Sequence, residues 1–150
     1  MEIREYFSLK EQERAAMRAA IGAGDWRAAR FLCELLEKNE LRARCGETTR
    51  LLLGMEDGQL AAFCTLAERD EVDAPLTPWI GFVHTFPAFR GQRRSGELIE
   101  RACALARADG FSRVYVSSNE IGLYEKYGFT FLRMMKDGWG GDTRVYCRAL

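Results

Sequence analysis

The alternation of hydrophobic and polar residues predicts a strand and two helices at the start of the chain. Met1–Phe7 alternates well enough for an opening strand, and Ser8 suits the cap of a helix over Leu9–Ile21. The glycine-containing segment 22–24 ends that helix, and Asp25 suits the cap of a second one. The apolar face of the second helix would consist of Trp26, Ala29, Leu32, Cys33 and Leu36.

Short apolar runs bounded by turn residues predict a sheet in the rest of the chain. Leu51–Met55 and Gln59–Ala67 flank Asp57 and Gly58, a pair typical of a tight hairpin turn. Trp79–Phe86 is rich in aromatic and β-branched residues and indicates a central strand. Further strands are predicted from Val114, at Phe129–Met135 and at Arg144–Cys147, and further helices at Ser95–Asp109 and Glu120–Tyr127. A single α/β domain over residues 1–150 accounts for this order.

Composition and charge are those of an ordinary globular protein, and they reduce the classes of binding partner to be expected. The 22 basic and 22 acidic side chains balance, which gives no reason to expect a nucleic acid or an anionic membrane as partner. No run approaches the roughly 20 apolar residues that cross a bilayer, and the first residues lack a signal core. The five cysteines are scattered and His84 is the only histidine, so we expect reduced thiols, a cytoplasmic location and no metal site.

The stretch from Arg90 to Gly96 has the features of an anion-binding loop. It connects the predicted strand Trp79–Phe86 to a helix, whose first-turn N–H groups and dipole favour a phosphate. Gly91 and Gly96 permit a close approach of the backbone. Positive charge comes from Arg90, Arg93 and Arg94. A solvated loop before a helix is the alternative interpretation.

Two motifs, in this order, resemble signatures of the GNAT acyltransferase superfamily. In the acyl-CoA-binding motif of that family, Gln or Arg is followed at the third and fifth positions by small residues, usually glycine. Arg90 takes the first position here, and the two small-residue positions fall on Arg93 and Ser95. Downstream, Gly122–Phe129 resembles a second signature, in which a helix ends in Tyr-x-x-x-Gly-Phe.

The resemblance implies a GNAT-like fold, with a mixed, largely antiparallel central sheet flanked by helices, and an acetyl-CoA-dependent N-acetyltransferase. The acetyl group would pass to a primary amine of a small molecule or a peptide by direct attack in a ternary complex. The alternative is an inactive GNAT-like module that binds acyl-CoA as a sensor or partner. The protein would be a monomer or a homodimer. The implied acetyl-CoA contacts are Val83, His84, Thr85, Arg90, Gly91, Gln92, Arg93, Arg94, Ser95 and Gly96.

Tyr124 is the candidate general acid. A phenol with a pKa near 10 can hydrogen-bond or protonate the leaving sulfur of CoA, whose thiol has a pKa of about 8.5. Tyr127 is a rival, although its place just before Gly128 favours core packing. Many family members carry an Asn seven residues before the catalytic tyrosine; that position is Ser117 here, and Asn119 stands only five before.

The sequence leaves the general base open. An alkylammonium group titrates near pH 10, so it must lose a proton before it attacks, and a carboxylate acting through water is a common answer. His84 is one candidate, but strand alternation places it on the face of Ile80 and Phe82, which favours a packed histidine. Trp139, in a glycine-rich loop, could reach a partner or close over the acceptor. A cationic substrate could be attracted by Glu68, Asp70, Glu71 and Asp73, which otherwise form a solvated loop.

Overall fold

A seven-stranded sheet organises the fold, and the computed structural model describes every residue from 1 to 150. The strands are β1 (Glu2–Glu5), β2 (Arg50–Glu56), β3 (Gln59–Ala67), β4 (Trp79–Thr85), β5 (Arg113–Ser117), β6 (Thr130–Lys136) and β7 (Asp142–Ala149). The helices are α1 (Glu11–Gly22), α2 (Arg27–Glu37), α3 (Leu41–Cys45) and α4 (Arg94–Ala108). Three 3-10 turns cover Tyr6–Ser8, Pro87–Phe89 and Tyr124–Tyr127.

The strands lie in the order β1-β2-β3-β4-β5-β7-β6, and β4 and β5 are the one parallel pair. The remaining neighbours are antiparallel, which confirms the mixed, largely antiparallel sheet that the resemblance implies. Asp57 and Gly58 both have positive φ, 49° and 77°, as a tight turn between two twisted strands requires. None of the helices combines the length and the apolar character needed to cross a bilayer.

Helices cover both faces of the sheet and bury two hydrophobic cores. On one face, α4 contributes Leu98, Ile99 and Ala102 to a core that includes Ile80 and Tyr146. On the other face, α1 and α2 pack over β2 and β3, and the core there includes Ile21, Leu32, Leu35, Leu51, Leu53 and Phe63. The apolar stripe predicted for the second helix therefore faces the sheet.

Several element boundaries differ from the sequence-based expectation. The Ser8 hydroxyl donates to the Glu5 carbonyl, 2.7 Å away, so it belongs to a preceding turn, and α1 begins after Lys10 instead. Trp26, and not Asp25, precedes α2. The helix predicted at Glu120–Tyr127 is only a 3-10 turn, and α3 has no counterpart in the prediction. Hydroxyl and carboxylate side chains have several local partners, so a cap residue marks a helix start only approximately.

The parallel strands β4 and β5 diverge and leave a gap in the sheet. Their only paired residues are Trp79 and Tyr115. Beyond this point β4 carries an extra residue relative to β3, and Phe82 adopts the left-handed region with φ of 48°. The bulge interrupts the alternation of side chains, so Ile80 packs on the α4 face while His84 lies against the aromatic residues of the α2 face. The expectation that His84 and Ile80 share a face is therefore wrong.

Candidate functional site

Three adjoining cavities follow the gap between β4 and β5, and they have different chemistry. The first, called here the donor cleft, has a volume of about 930 Å³ and lies beside the loop that precedes α4. The second, the gap cavity, is about 260 Å³ and lies between the diverging strands. The third, the carboxylate cavity, is about 410 Å³ and contains Asp70 and Glu71.

The donor cleft combines free backbone donors with positive charge. Because α4 begins at Arg94, the N–H groups of Arg94, Ser95 and Gly96 have no partner within the helix. Arg90, Arg93 and Lys126 line the cleft, and none of these three side chains pairs with a carboxylate. A helix N-terminus with nearby cations is a suitable site for a phosphate or diphosphate.

Two contacts fix the shape of the donor cleft. The hydroxyls of Thr85 and Ser95 lie 2.6 Å apart and tie the end of β4 to the first turn of α4. Gly96 lies against Tyr127, since a Cβ atom built on the glycine would come within 2.8 Å of the Tyr127 ring. The absence of a side chain at Gly96 therefore lets Tyr127 form part of the cleft wall.

Arg94 differs from its neighbours because its guanidinium is already bound inside the protein. The side chain is buried, donates to the Phe89 carbonyl at 2.9 Å and forms an ion pair with Glu56 at 3.1 Å. These bonds hold the loop against the end of β2. The Arg94 side chain therefore has a structural role. Its backbone N–H, in the first turn of α4, has no partner within the helix.

Tyr124 reaches the gap cavity through its hydroxyl group. Its ring is buried against Phe129 and Tyr146. The hydroxyl makes no hydrogen bond within the protein. Every buried side-chain oxygen and nitrogen of the protein has a hydrogen-bond partner, so this unpartnered hydroxyl cannot be fully buried. The hydroxyl is therefore accessible from the cavity that Tyr124 lines. Burial, and secondarily the nearby Cys64 thiol, raises the pKa of Tyr124, so the phenol keeps its proton at neutral pH.

Asp70 is a carboxylate of the carboxylate cavity whose pKa is shifted by its surroundings. Desolvation raises the pKa of Asp70, although its Oδ2 accepts a hydrogen bond from the Ser117 hydroxyl at 2.8 Å. No Lys, Arg or His side chain forms an ion pair with it. The remaining space is bounded by the aromatic side chains of Trp26, Phe82 and Trp139. The cavity is thus suited to a cation attached to an apolar body.

Comparison with known proteins identifies the family of this chain. Residues 14–129 match the model of the Acetyltransferase (GNAT) family. The chain belongs to the GNAT family. None of the curated proteins matches it in sequence.

Solved structures share the fold over nearly the whole chain. An acyl-CoA N-acyltransferase from Pseudomonas aeruginosa is 25% identical, with a TM-score of 0.66 over 99% of this chain and 97% of that one. A GNAT family acetyltransferase from Brucella melitensis in complex with acetyl-CoA is 21% identical, with a TM-score of 0.65 over 99% and 87%. A GNAT family acetyltransferase from Elizabethkingia anophelis with acetyl-CoA bound is 14% identical, with a TM-score of 0.66 over 99% and 97%.

Arg93 adopts a backbone conformation that is more typical of glycine. The residue has φ of 58° and ψ of 29°, which is the left-handed region that glycine adopts readily. A side chain in this conformation costs roughly 1–2 kcal/mol. Arginine therefore carries a conformational cost at a position where the family motif usually has a small residue.

The residues proposed from the GNAT resemblance fall in different places. Eight of the ten implied acetyl-CoA contacts line the donor cleft: Val83, His84, Thr85, Arg90, Gly91, Arg93, Arg94 and Ser95. Gly96 lies behind Tyr127, and Gln92 is exposed and lines none of the three cavities. Asn119 is used structurally, because its amide group accepts from the Arg144 N–H and donates to the Asp142 carbonyl.

The candidate bases are separated by their surroundings. His84 stacks on Trp26 with ring centroids 4.8 Å apart, and burial lowers the pKa of His84. Glu68 accepts the Thr48 N–H, a hydrogen bond that lowers the pKa of Glu68. Asp73 is exposed outside the three cavities. Asp70 and Glu71 are thus the members of the acidic group that line the carboxylate cavity.

Sequence reasoning missed several residues of the site. Lys126 completes the positive charge of the donor cleft, and Ser117 joins the gap cavity to Asp70. Trp26 reaches the site from the start of α2. Two signals were available: Lys126 lies two residues after Tyr124 in the second motif, and Ser117 takes the place of the family's Asn seven residues before it. The contacts themselves depend on how β4 and β5 diverge.

Proposed function

We propose that the protein is an N-acetyltransferase that transfers the acetyl group of acetyl-CoA to a primary amine by direct attack in a ternary complex. The main support is the continuity of the three cavities. The donor cleft and the gap cavity share Val83, Ser95 and Tyr127, while the gap cavity and the carboxylate cavity share Phe82 and Ser117. A donor and an amine entering from opposite ends would meet beside Tyr124.

Residues of the donor cleft supply the recognition of acetyl-CoA in this proposal. The first-turn N–H groups of α4 would bind the diphosphate, with Arg90, Arg93 and Lys126 around it. The edge of β4 at residues 83–85 has no strand partner on the side of β5, so its backbone groups can pair with the pantetheine amides. The Arg94 guanidinium is not part of this set, because Glu56 and Phe89 occupy it.

Tyr124 supplies the acid in the proposed reaction. Its raised pKa keeps the proton on the phenol until a thiolate develops in the gap cavity. Backbone N–H groups of β4 that face the gap can stabilise the thioester oxygen as charge builds on it. The accessible hydroxyl beside a second, carboxylate-bearing cavity favours an enzyme over a module that only binds acyl-CoA.

The five unpaired thiols fit a cytoplasmic location.

The test compares Tyr124→Phe with its neighbour Tyr127→Phe in a thiol-release assay with acetyl-CoA and a panel of primary amines. We expect Tyr124→Phe to lower kcat by about tenfold or more. Tyr127→Phe should stay close to wild type, since Tyr127 serves as a wall. Both variants should keep the increase of Tm that saturating acetyl-CoA causes, about 2.7 kcal/mol of stabilisation at 100 times Kd.

The outcomes separate the two candidate functions. Unchanged turnover in Tyr124→Phe removes this residue from the mechanism. A Tm increase with acetyl-CoA, but no thiol release with any amine, supports the acyl-CoA-binding module. No Tm increase at all contradicts both.

A further inference from the structure

Besides Glu71, the carboxylate cavity holds two opposite charges that form no ion pair within the protein. Asp70 has no cationic partner, because its hydrogen-bond donors are neutral: the Ser117 hydroxyl and the backbone N–H groups of Glu71 and Val72. Arg44, at the end of α3, lines the same cavity. Its guanidinium forms no hydrogen bond or ion pair and lies 5.0 Å from the centre of the Phe31 ring. A ligand that carries both charges would satisfy both residues.

The two charges lie at different depths. Asp70 is at the inner end, because a Cβ atom on Gly81 of β4 would come within 3.3 Å of its Oδ1 atom. Its partner Ser117 also lines the gap cavity, where Tyr124 is found. Arg44 is exposed and therefore lies towards the solvent. A cation at Asp70 would thus point to the reaction centre, and an anion at Arg44 would point outwards.

Aromatic side chains occupy the space between these ends. Trp139 is held over the cavity by a hydrogen bond from its Nε1 to Glu71, 2.8 Å long, and it packs edge-on against Phe31. Trp26 and Phe82 form other parts of the lining. A volume of about 410 Å³ accommodates a molecule of amino-acid or dipeptide size. Glu71 accepts the Trp139 N–H near the opening, whereas Asp70 is bound to Ser117 of the gap cavity, so we assign Asp70 as the carboxylate that meets the reacting cation.

We propose that the acceptor is a zwitterion, a primary ammonium and a carboxylate joined by an apolar body, with the ammonium at Asp70 and the carboxylate at Arg44. This inference rests on the proposed acetyltransferase function. Free amino acids and short peptides share this chemistry.

Asp70 also receives a proton in this proposal. The ammonium gives one proton to the Asp70 carboxylate, and the freed lone pair forms the C–N bond to the thioester carbon. The C–S bond then breaks, and the leaving sulfur takes a proton from Tyr124. The second proton lost by the nitrogen restores the tyrosine, and Asp70 releases its proton to solvent. The products are the amide, CoA thiol and one proton.

The experiment measures binding and turnover separately. Calorimetry in the presence of CoA compares phenylalanine, methionine and the dipeptide glycyl-phenylalanine with the amidated or decarboxylated counterpart of each. We expect at least one zwitterion to bind about tenfold more tightly than its counterpart. Arg44→Gln should abolish this difference, whereas Arg30→Gln, an exposed arginine of α2 outside the cavity, should preserve it. Preferential binding by the free amino acids or by the dipeptide distinguishes the two sources.

Asp70→Asn tests the inner end with a side chain of the same shape. We expect kcat for every accepted amine to fall at least tenfold, with the Tm increase caused by acetyl-CoA unchanged. If no zwitterion binds more tightly than its counterpart, or if Arg44→Gln weakens both equally, the inference is refuted. Amine turnover without carboxylate preference would refute the zwitterion alone. Selective zwitterion binding without thiol release would support the ligand and refute the proposed catalysis.

Discussion

Arg93 and Arg94 are adjacent in sequence, carry the same charge and should nevertheless have separable roles. Arg94→Gln removes an ion pair to Glu56 and a hydrogen bond to the Phe89 carbonyl from a buried position. Arg93→Gln removes an exposed charge that lines the donor cleft. We expect the first variant to lose stability and the second to lose acetyl-CoA affinity.

The size of the Arg94 effect follows from its contacts. Removing one member of a buried ion pair typically costs about 3–5 kcal/mol. Glu56 is 26% exposed and lies 3.7 Å from the Met1 amino group, so part of its charge stays compensated. We therefore expect a loss of about 2–3 kcal/mol, which for a chain of this length lowers Tm by about 4–12 °C. Arg93→Gln should change the free energy of unfolding by no more than about 0.5 kcal/mol.

Thermal unfolding and calorimetry with acetyl-CoA, both at low salt, measure the two effects. Arg93→Gln should weaken binding about threefold to tenfold, and the difference should shrink as salt is added, because an exposed charge is screened. At a temperature well below its Tm, Arg94→Gln should bind acetyl-CoA with an affinity closer to that of the wild type than Arg93→Gln does. The reasoning is refuted if Arg94→Gln keeps the wild-type Tm, or if Arg93→Gln is the less stable of the two.

Two further predictions concern His84 and Gly96. Burial, and secondarily Arg90, lowers the pKa of His84 in the folded chain. The unfolded chain therefore binds more protons at mildly acidic pH, and the free energy of unfolding should fall as the pH drops below about 6.5. Urea unfolding between pH 8 and 5 should show a smaller decrease for His84→Gln; equal decreases would contradict this. Gly96→Ala should displace Tyr127, because its Cβ atom would come within 2.8 Å of that ring. Calorimetry should then show weaker acetyl-CoA binding, with a change in the free energy of unfolding of at most about 3 kcal/mol. Wild-type affinity in this variant would show that Tyr127 moves without consequence.

Local patterns were sufficient for much of the fold. The hairpin at Asp57 depends on two adjacent residues that tolerate positive φ, and the apolar stripe of α2 depends on helical spacing. Both are short-range properties, so the sequence shows them directly. The order of strand, glycine-containing turn and helix around Arg90–Gly96 was predictable for the same reason, because these elements follow one another in the chain. Anion binding by this loop stays a prediction.

Properties that depend on distant contacts were not predictable. The role of Arg94 requires Glu56, which is 38 residues earlier in the chain. The face of His84 was predicted wrongly because the bulge at Phe82 follows from pairing with β3, which no local pattern indicates. Asp70 differed from its acidic neighbours only after folding placed Ser117 beside it. Burial and partners, and not residue type, distinguish these side chains.

The divergence of β4 and β5 also creates two edge strands in the interior of a sheet. Edge strands offer unpaired backbone groups, and they can recruit foreign strands and promote aggregation. Here each exposed edge faces the other across a narrow cavity, with α4 on one side and Trp26 and Trp139 near the opening on the other. A flat strand from another molecule has no straight approach to such edges, whereas a thin, flexible chain with amide groups does. The narrowness of the opening that exposes these backbone groups therefore also protects the protein from its own copies.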